Sequence, residues 1–293
     1  MGITFKAFFL LLVVSSGVVF GQNLEIKGII RDNSKVGIPC AMISLKNKAE
    51  GCIADEKGNY RLNVASNDTL IVSSPGFEPS VISMNNAMIL SPFFVYLSPK
   101  KNFQALTIEN SGSFQYSSKE GIFDQPSNAV FTTVRGQSVV IKIENSAKKE
   151  ALLSKIHANF GRKSISQTKL RVRVFSVNPL TGEPFNDLLT KNVIVPVTSS
   201  QFLFDIESYK IPIPMEGCFV GFDWIEMPKQ KPSSASHVKA DSLVKPSLKT
   251  TSKVCSAKTY SRVFASEWRS WVSQIGTCPS NVFIAATLKY QAN

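Results

Sequence analysis

Apolar and polar side chains alternate in the segment LEIKGIIRDNSKVGIPCAMISL at residues 24–45, and again in GCIADEKGNYRLNV at residues 51–64. A period of two places one row of side chains on each face of an extended chain, so that Leu24, Ile26 and Ile30 share one face. Clusters of polar residues and glycine, such as DEKG at 55–58, separate the alternating runs and indicate tight turns. Short strands joined by tight turns are typical of a β-sandwich.

The same alternation returns in the second half of the chain, for example in residues 139–143 and 170–175. Between residues 229 and 258 the sequence is rich in Lys, Ser and Pro, which predicts a long surface loop. The fold class is therefore predicted to be all-β with two sandwich domains. The predicted organisation is a signal peptide at 1–21, a first sandwich at 22–99, a linker at 100–118, and a second sandwich at 119–293 with an inserted loop at 229–258.

The first 21 residues have the layout of a secretory signal. A single charge, Lys6, precedes apolar runs at 7–14 and 17–20, and cleavage before Gln22 would follow a small residue. A later apolar segment at 87–97 is interrupted and has the length of a core strand, so no transmembrane span is expected after signal cleavage. The expected location is outside the cytoplasm: the periplasm, the outer-membrane surface or the extracellular space.

The net charge of +12 bears on the possible partners of the chain, and the five cysteines bear on its possible disulfides. Seven lysines fall within the 229–258 region, where they indicate solvation, and we expect no nucleic-acid partner for an exported chain. In an oxidising compartment the cysteines closest in sequence are the disulfide candidates, and buried free thiols are the alternative. The two candidate pairs are Cys255 with Cys278, and Cys40 with Cys52.

The sequence lacks the local signatures of the common enzyme classes. Two histidines exclude a zinc site built from several imidazoles, and acyl-transfer, phosphate-loop and dinucleotide motifs are absent. We therefore expect no catalytic residue, no metal and no cofactor. Paired carboxylates need no local motif, so a carboxylate-pair hydrolase stays open as an alternative, with Asp205 and Glu207, or Asp223 and Glu226, as its acids.

Tryptophans provide the strongest indication of a ligand. Trp268 and Trp271 are three residues apart in a strand-rich region, and Trp224 lies beside the acidic pair at 223 and 226. Indole rings stack on sugar faces, so a glycan-binding module in the second sandwich is a further alternative. Core packing is the competing role for all three rings.

Three motifs of the first domain together resemble a known family. They are KGII with the following Asp32 and GIPCAMISL, then ADEKGNYRL at 54–62, and LIVSSPGFE at 70–78. Their order and spacing resemble the carboxypeptidase-regulatory-like domain over about residues 24–98. The resemblance implies a transthyretin-like, seven-stranded sandwich without peptidase residues, found on secreted proteins and on TonB-dependent outer-membrane receptors.

The second domain more loosely resembles an uncharacterised jelly-roll-like region that accompanies this domain in exported proteins, through LRVRVF at 170–175 and GCFVGFDW at 217–224. The leading hypothesis is a non-enzymatic exported protein that acts in envelope-associated binding or assembly. Its partners are expected among envelope proteins or glycans.

Overall fold

A computed structural model describes residues 24–84, 92–100, 114–127, 129–162, 168–225, 243–272 and 277–291. These residues form β-strands, with a single 3-10 turn at Glu207–Tyr209 among the named elements. The predicted all-β class is confirmed. The predicted signal peptide and most of the predicted linker lie outside the described residues.

The described residues of the first sandwich form seven strands: β1 Leu24–Asp32, β2 Met42–Leu45, β3 Gly51–Ile53, β4 Asn59–Val64, β5 Thr69–Ser73, β6 Ser80–Ser83 and β7 Val95–Leu97. They form two sheets with the orders β4-β1-β7 and β3-β2-β5-β6, and β7 runs parallel to β1. The alternating row Ile26 and Ile30 of β1 is fully buried against Ile43, Leu70 and Val72 of the other sheet. The period of two therefore places the row inward as predicted.

Gly28 occupies the middle of β1 because another backbone segment crosses it. A Cβ atom at this position would lie 1.7 Å from the carbonyl oxygen of Phe93. The amide of Phe93 donates to the carbonyl of Lys27 at 2.8 Å, and the Tyr60 hydroxyl donates to the carbonyl of Phe93 at 2.9 Å. These contacts pin the segment that leads into β7, and a larger residue than glycine would displace it.

In the part of the second sandwich that the structure describes there are fifteen strands: β8 Phe114–Gly121, β9 Ala129–Val134, β10 Gln137–Ile143, β11 Ala151–Asn159, β12 Lys169–Val177, β13 Pro184–Asp187, β14 Ile194–Pro196, β15 Gln201–Asp205, β16 Pro212–Ile213, β17 Cys218–Trp224, β18 Leu243–Thr251, β19 Thr259–Val263, β20 Arg269–Ser270, β21 Asn281–Val282 and β22 Ile284–Gln291. The large sheet has the order β13-β12-β17-β10-β19-β20, with β14 on β12. The small sheet has the order β15-β11-β22-β8, with β16 on β11. A third sheet has the order β21-β18-β9.

The core of the second sandwich lies between the large and small sheets. The large sheet contributes the inward-facing side chains of its strands, such as Val172 and Val174 of β12. The small sheet contributes Ile156, Ala286 and Leu288. All five side chains are fully buried. Each sheet therefore keeps a second face that points away from this core.

Two boundaries differ from the sequence prediction. Strand β8 begins at Phe114, inside the predicted linker, and pairs with β22. Strand β18 spans 243–251, inside the predicted 229–258 loop, and pairs with β9 and β21. Its sequence, LVKPSLKTT, does not show the apolar alternation of a strand, because the buried positions include the polar Thr250 and Thr251 beside the core residue Leu248. Composition therefore misled the loop prediction there, and residues 226–242 lie outside the described part.

The cysteines follow one of the two suggested pairings. Cys255 and Cys278 form a disulfide, whereas Cys40 and Cys52 are free thiols. Cys52 points into the first core, where burial raises the pKa of its thiol to about 12. Cys40 has a positive φ of 53° in the turn before β2 and contacts the second sandwich instead. The suggested Cys40–Cys52 bond is therefore wrong for this structure.

Removing the disulfide should destabilise the second sandwich. The bond closes a loop with a sequence separation of 23 residues, for which the chain-entropy model gives about 3 kcal/mol. We expect the double variant Cys255→Ser/Cys278→Ser to unfold at lower urea than the wild type. Dithiothreitol should lower the urea midpoint of the wild type and leave that of the variant unchanged. Equal urea midpoints for the two proteins in the absence of dithiothreitol would contradict the prediction.

Candidate functional site

An apolar cluster joins the two sandwiches. Met42 and Ile53 face each other across β2 and β3 of the first sandwich and point away from its core. They pack against Ile225 and Phe264 of the second sandwich, and all four side chains are buried. We call this set the junction cluster. Its burial means that the first sandwich is docked on the second through a defined face.

Phe264 sits where two glycines leave room for its ring. A Cβ atom on Gly51 of the first sandwich would lie 2.7 Å from the ring, and one on Gly136 of the second would lie 2.4 Å from it. The amide of Phe264 donates to the carbonyl of Gly136 at 2.8 Å, and Gly136 has a φ of +77° that favours glycine. The ring is thus held between one backbone segment from each sandwich.

Polar contacts fix the orientation of the docked sandwich. Each is a side-chain donor of the second sandwich that binds a backbone carbonyl oxygen of the first: Arg171 to Cys40, Arg135 to Ile53 at 3.3 Å, and Asn192 to Pro39 at 3.0 Å. Arg171 and Arg135 are both buried. A buried arginine without such a partner is costly, so these bonds specify one orientation of the first sandwich over others.

A buried charge network lies beside the junction, on the face of the large sheet that points away from the core. Asp223 is fully buried and accepts hydrogen bonds from Ser138 at 2.6 Å and from Arg173 at 3.1 Å. The second oxygen of Asp223 also lies 3.5 Å from Arg171, and Arg173 pairs with Asp187 at 3.2 Å. One carboxylate is thus shared between two guanidinium groups.

The register of the large sheet brings these groups together. On β12, Arg171 and Arg173 alternate with inward-facing valines, and β17 pairs Arg171 directly with Asp223. β10 then places Ser138 opposite both Asp223 and Arg262. The alternation in LRVRVF had indicated a strand with one polar, half-buried face; the structure shows that both arginines of that face are buried by the junction and its neighbours.

The network shifts the pKa values of its arginines in different directions. Burial lowers the pKa of Arg171, and Asp223 only partly offsets this. Burial also opposes the charge of Arg173, but Asp223 and Asp187 outweigh it, so the pKa of Arg173 is raised. Burial, followed by repulsion from Arg173, lowers the pKa of Arg262 to about 10, which leaves that side chain cationic at neutral pH.

Trp268 packs on the edge of this network. Its ring meets Phe175 edge to face with centroids 5.4 Å apart, and the guanidinium carbon of Arg262 lies 4.3 Å from the indole. The same guanidinium carbon is 5.7 Å from the Phe175 ring. Trp268 therefore covers a cation and an aromatic ring, and it is half-buried in this position.

The other two candidate tryptophans lie elsewhere. Trp271 is on the opposite side of the extended chain from Trp268, where its ring is 4.3 Å from Phe131 and its indole nitrogen donates to Ser261 at 3.0 Å. Trp224 is 1% exposed, and its indole nitrogen donates to the carbonyl of Pro246 at 2.9 Å. Trp224 is thus a core residue rather than a ligand-binding one, and the structure does not bring the three rings together.

The candidate acids are engaged by neighbours. Asp205 accepts the amide of Glu207 at 3.1 Å, as a turn cap does. Glu207 accepts bonds from Lys289 at 2.6 Å and from Ser154 at 2.9 Å, and these two bonds lower its pKa. A general acid of a glycosidase needs a raised pKa, so this environment suits a structural carboxylate better. Glu226, suggested as the partner of Asp223, lies outside the described residues.

Within the described ranges, no group of three or more His, Cys, Asp or Glu side chains is placed to hold a metal ion. Those ranges also contain no helix that is long and apolar enough to cross a bilayer.

The first sandwich is similar to known proteins. Residues 26–106 match the model of the CarboxypepD_reg-like domain family, which confirms the predicted resemblance. A segment of 77 residues is 30% identical to the TonB-dependent receptor SusC of Bacteroides thetaiotaomicron and covers 25% of this chain and 8% of the receptor. The chain thus spans a small part of that receptor's length. Both similarities fit an envelope-associated β-protein.

Proposed function

We propose that this chain is an exported, non-enzymatic protein of the cell envelope whose two sandwiches act as one rigid unit in binding or assembly. The observation that carries the proposal is the junction, where Phe264 and three side-chain donors of the second sandwich engage the first. Domains joined by a weaker interface are expected to move relative to one another. A fixed orientation presents a partner with a preformed surface and reduces the entropy lost on binding.

The buried charges support a binding role over a catalytic one. Asp223 has no exposed surface and pairs with Arg171 and Arg173, so a substrate in solvent does not reach it. Glu207 is held by Lys289 and by Ser154. Both carboxylates therefore bind other side chains of the protein, as expected for a scaffold.

A fractionation experiment tests the envelope assignment. We expect a C-terminally tagged full-length chain, expressed in the native bacterium, to be found in the periplasmic or outer-membrane fraction. A matched variant without residues 2–21 should stay in the cytoplasm, because it lacks the predicted export signal. Recovery of the full-length chain in the cytoplasm would overturn the assignment.

The non-enzymatic part has its own test. Purified protein is incubated with peptide and polysaccharide libraries, and the products are followed by mass spectrometry. Turnover that is lost in both Glu207→Gln and Asp205→Asn would identify a carboxylate-pair hydrolase and refute the proposal. No turnover by the wild type under these conditions is the expected result.

A further inference from the structure

A depression of about 280 Å³ lies on the face of the small sheet that points away from the core. Its lining includes the polar residues Lys119, His157, Asn159 and Gln201, together with the apolar Phe123 and Leu203. Ligand pockets in proteins begin at about 300 Å³, so this volume suits one ring-sized group rather than an extended molecule. None of these residues takes part in the junction or in the charge network.

The register of the small sheet brings part of this lining together. Across the sheet, β15, β11, β22 and β8 align Leu203, His157, Ala285 and Gly121 in one row. Of these, Leu203 and His157 line the depression, and Leu203 is 59% exposed. Phe123 follows β8, also lines the depression and has an exposed fraction of 37%.

The uncharged polar groups of the depression are two side-chain amides and an imidazole. β11 and β15 pair Asn159 with Gln201, so two side-chain amides are adjacent, and each offers both donors and an acceptor. The Nε2 atom of His157 lies 2.9 Å from the hydroxyl oxygen of Thr287. Burial, together with Lys119 and Lys155, lowers the pKa of His157, which keeps the ring uncharged at neutral pH. Such a set suits hydroxyl groups, which also both donate and accept.

Lys119 gives the lining of the depression a positive charge. The ammonium of Lys119 lies 4.6 Å from the centre of the Phe123 ring, and no carboxylate is among the described residues that line the depression. Lys155 lies near enough to His157 to affect its protonation. An anionic ligand would therefore be favoured over a neutral one of the same shape.

We propose that this depression binds one uronic acid unit of an acidic saccharide. Lys119 meets the carboxylate, the amides of Asn159 and Gln201 bind ring hydroxyls, and the exposed part of the Phe123 ring packs on the sugar face. The site would supply the binding part of the proposed function. It does not depend on the junction, so the two can fail independently.

Calorimetric titration with a trimer of galacturonic acid tests this assignment, with galactotriose as the neutral control of similar size. The wild type should bind the acidic trimer, and raising the salt concentration should weaken the binding. Lys119→Gln should weaken it about tenfold, the usual effect of losing one charge-assisted hydrogen bond. Phe123→Ala should weaken it as well, whereas Lys46→Gln, on the exposed surface of the first sandwich, should leave it unchanged.

The outcomes separate the hypotheses. Equal binding of both trimers, or wild-type affinity in Lys119→Gln, would show that the carboxylate is not recognised and overturn the uronate assignment. Absence of binding to either trimer would refute the depression as a saccharide site. Neither result affects the envelope assignment, which rests on fractionation. Circular dichroism of each variant confirms that it is folded.

Discussion

Replacing Phe264 with alanine is expected to cost about 4 kcal/mol of folding free energy and to release the first sandwich from the second. The ring is 3% exposed and fills the space between Gly51 and Gly136, so its removal leaves a cavity that neither glycine can fill. The junction cluster then loses its largest member. Undocking should expose the remaining apolar side chains of the cluster to water.

Two measurements follow this change. Small-angle X-ray scattering should show a larger radius of gyration for Phe264→Ala than for the wild type, and limited proteolysis should separate the two sandwiches at lower protease concentration. Phe94→Ala is a matched control, because Phe94 is 40% exposed on the first sandwich and contacts Arg31 at 4.7 Å outside the junction. A Phe264→Ala protein with wild-type scattering would contradict the rigid-unit proposal.

The second large effect is expected for Asp223→Asn. Removing one charge of a buried network typically costs 3–5 kcal/mol, and we expect about 4 kcal/mol here. The amide keeps the volume of Asp223 but leaves Arg171 and Arg173 with a single remaining carboxylate, that of Asp187. Chemical unfolding monitored by tryptophan fluorescence measures the loss.

Control variants separate charge from shape in this network. Asp205→Asn changes the same functional group at an exposed turn, where a loss below about 1 kcal/mol is expected. The double variant Arg171→Met/Asp223→Leu removes a charge of each sign and should recover much of the stability, because apolar replacements of buried ion pairs are often tolerated. A loss below about 1 kcal/mol for Asp223→Asn would show that the network is solvated and refute its structural role.

The charge network and the junction are coupled through Arg171. This side chain is fully buried, lies 3.5 Å from Asp223 and also donates to the carbonyl of Cys40 in the first sandwich. The position of its guanidinium is therefore set by both sandwiches. We expect disruption of Asp223 to loosen the docking, and disruption of Phe264 to leave Arg171 without a partner from the first sandwich.

Several features could be predicted from the sequence because their causes are local. The period of two in residues 24–45 predicted β1 and β2. The disulfide between Cys255 and Cys278 was one of two candidate pairs, but sequence separation alone could not select it, because Cys40 and Cys52 lie closer together in the chain and are free thiols. Strand β18 was missed because its buried residues include threonines, which composition alone assigns to a loop.

The candidate site could not be predicted because it depends on contacts between distant parts of the chain. Trp224, Trp268 and Trp271 were chosen from composition, yet their surroundings are set by Pro246, Phe175 and Phe131 on other strands. The depression at His157 is lined by residues of separate strands, Lys119 of β8, Asn159 of β11 and Gln201 of β15. No local signal in the sequence predicts that these strands bring their side chains together.

Alternation and turn residues were enough to predict an all-β chain, since hydrophobic burial in a strand has a period that neighbouring residues display. The motifs at 27–62 and 70–78 carried the separate resemblance to the CarboxypepD_reg-like domain, which residues 26–106 match. Tertiary structure alone decided that Arg171 would be buried against Cys40, 131 residues away, and that Phe264 would lie between two glycines. A side chain's burial depends on what covers it, and the covering surface here comes from the other sandwich.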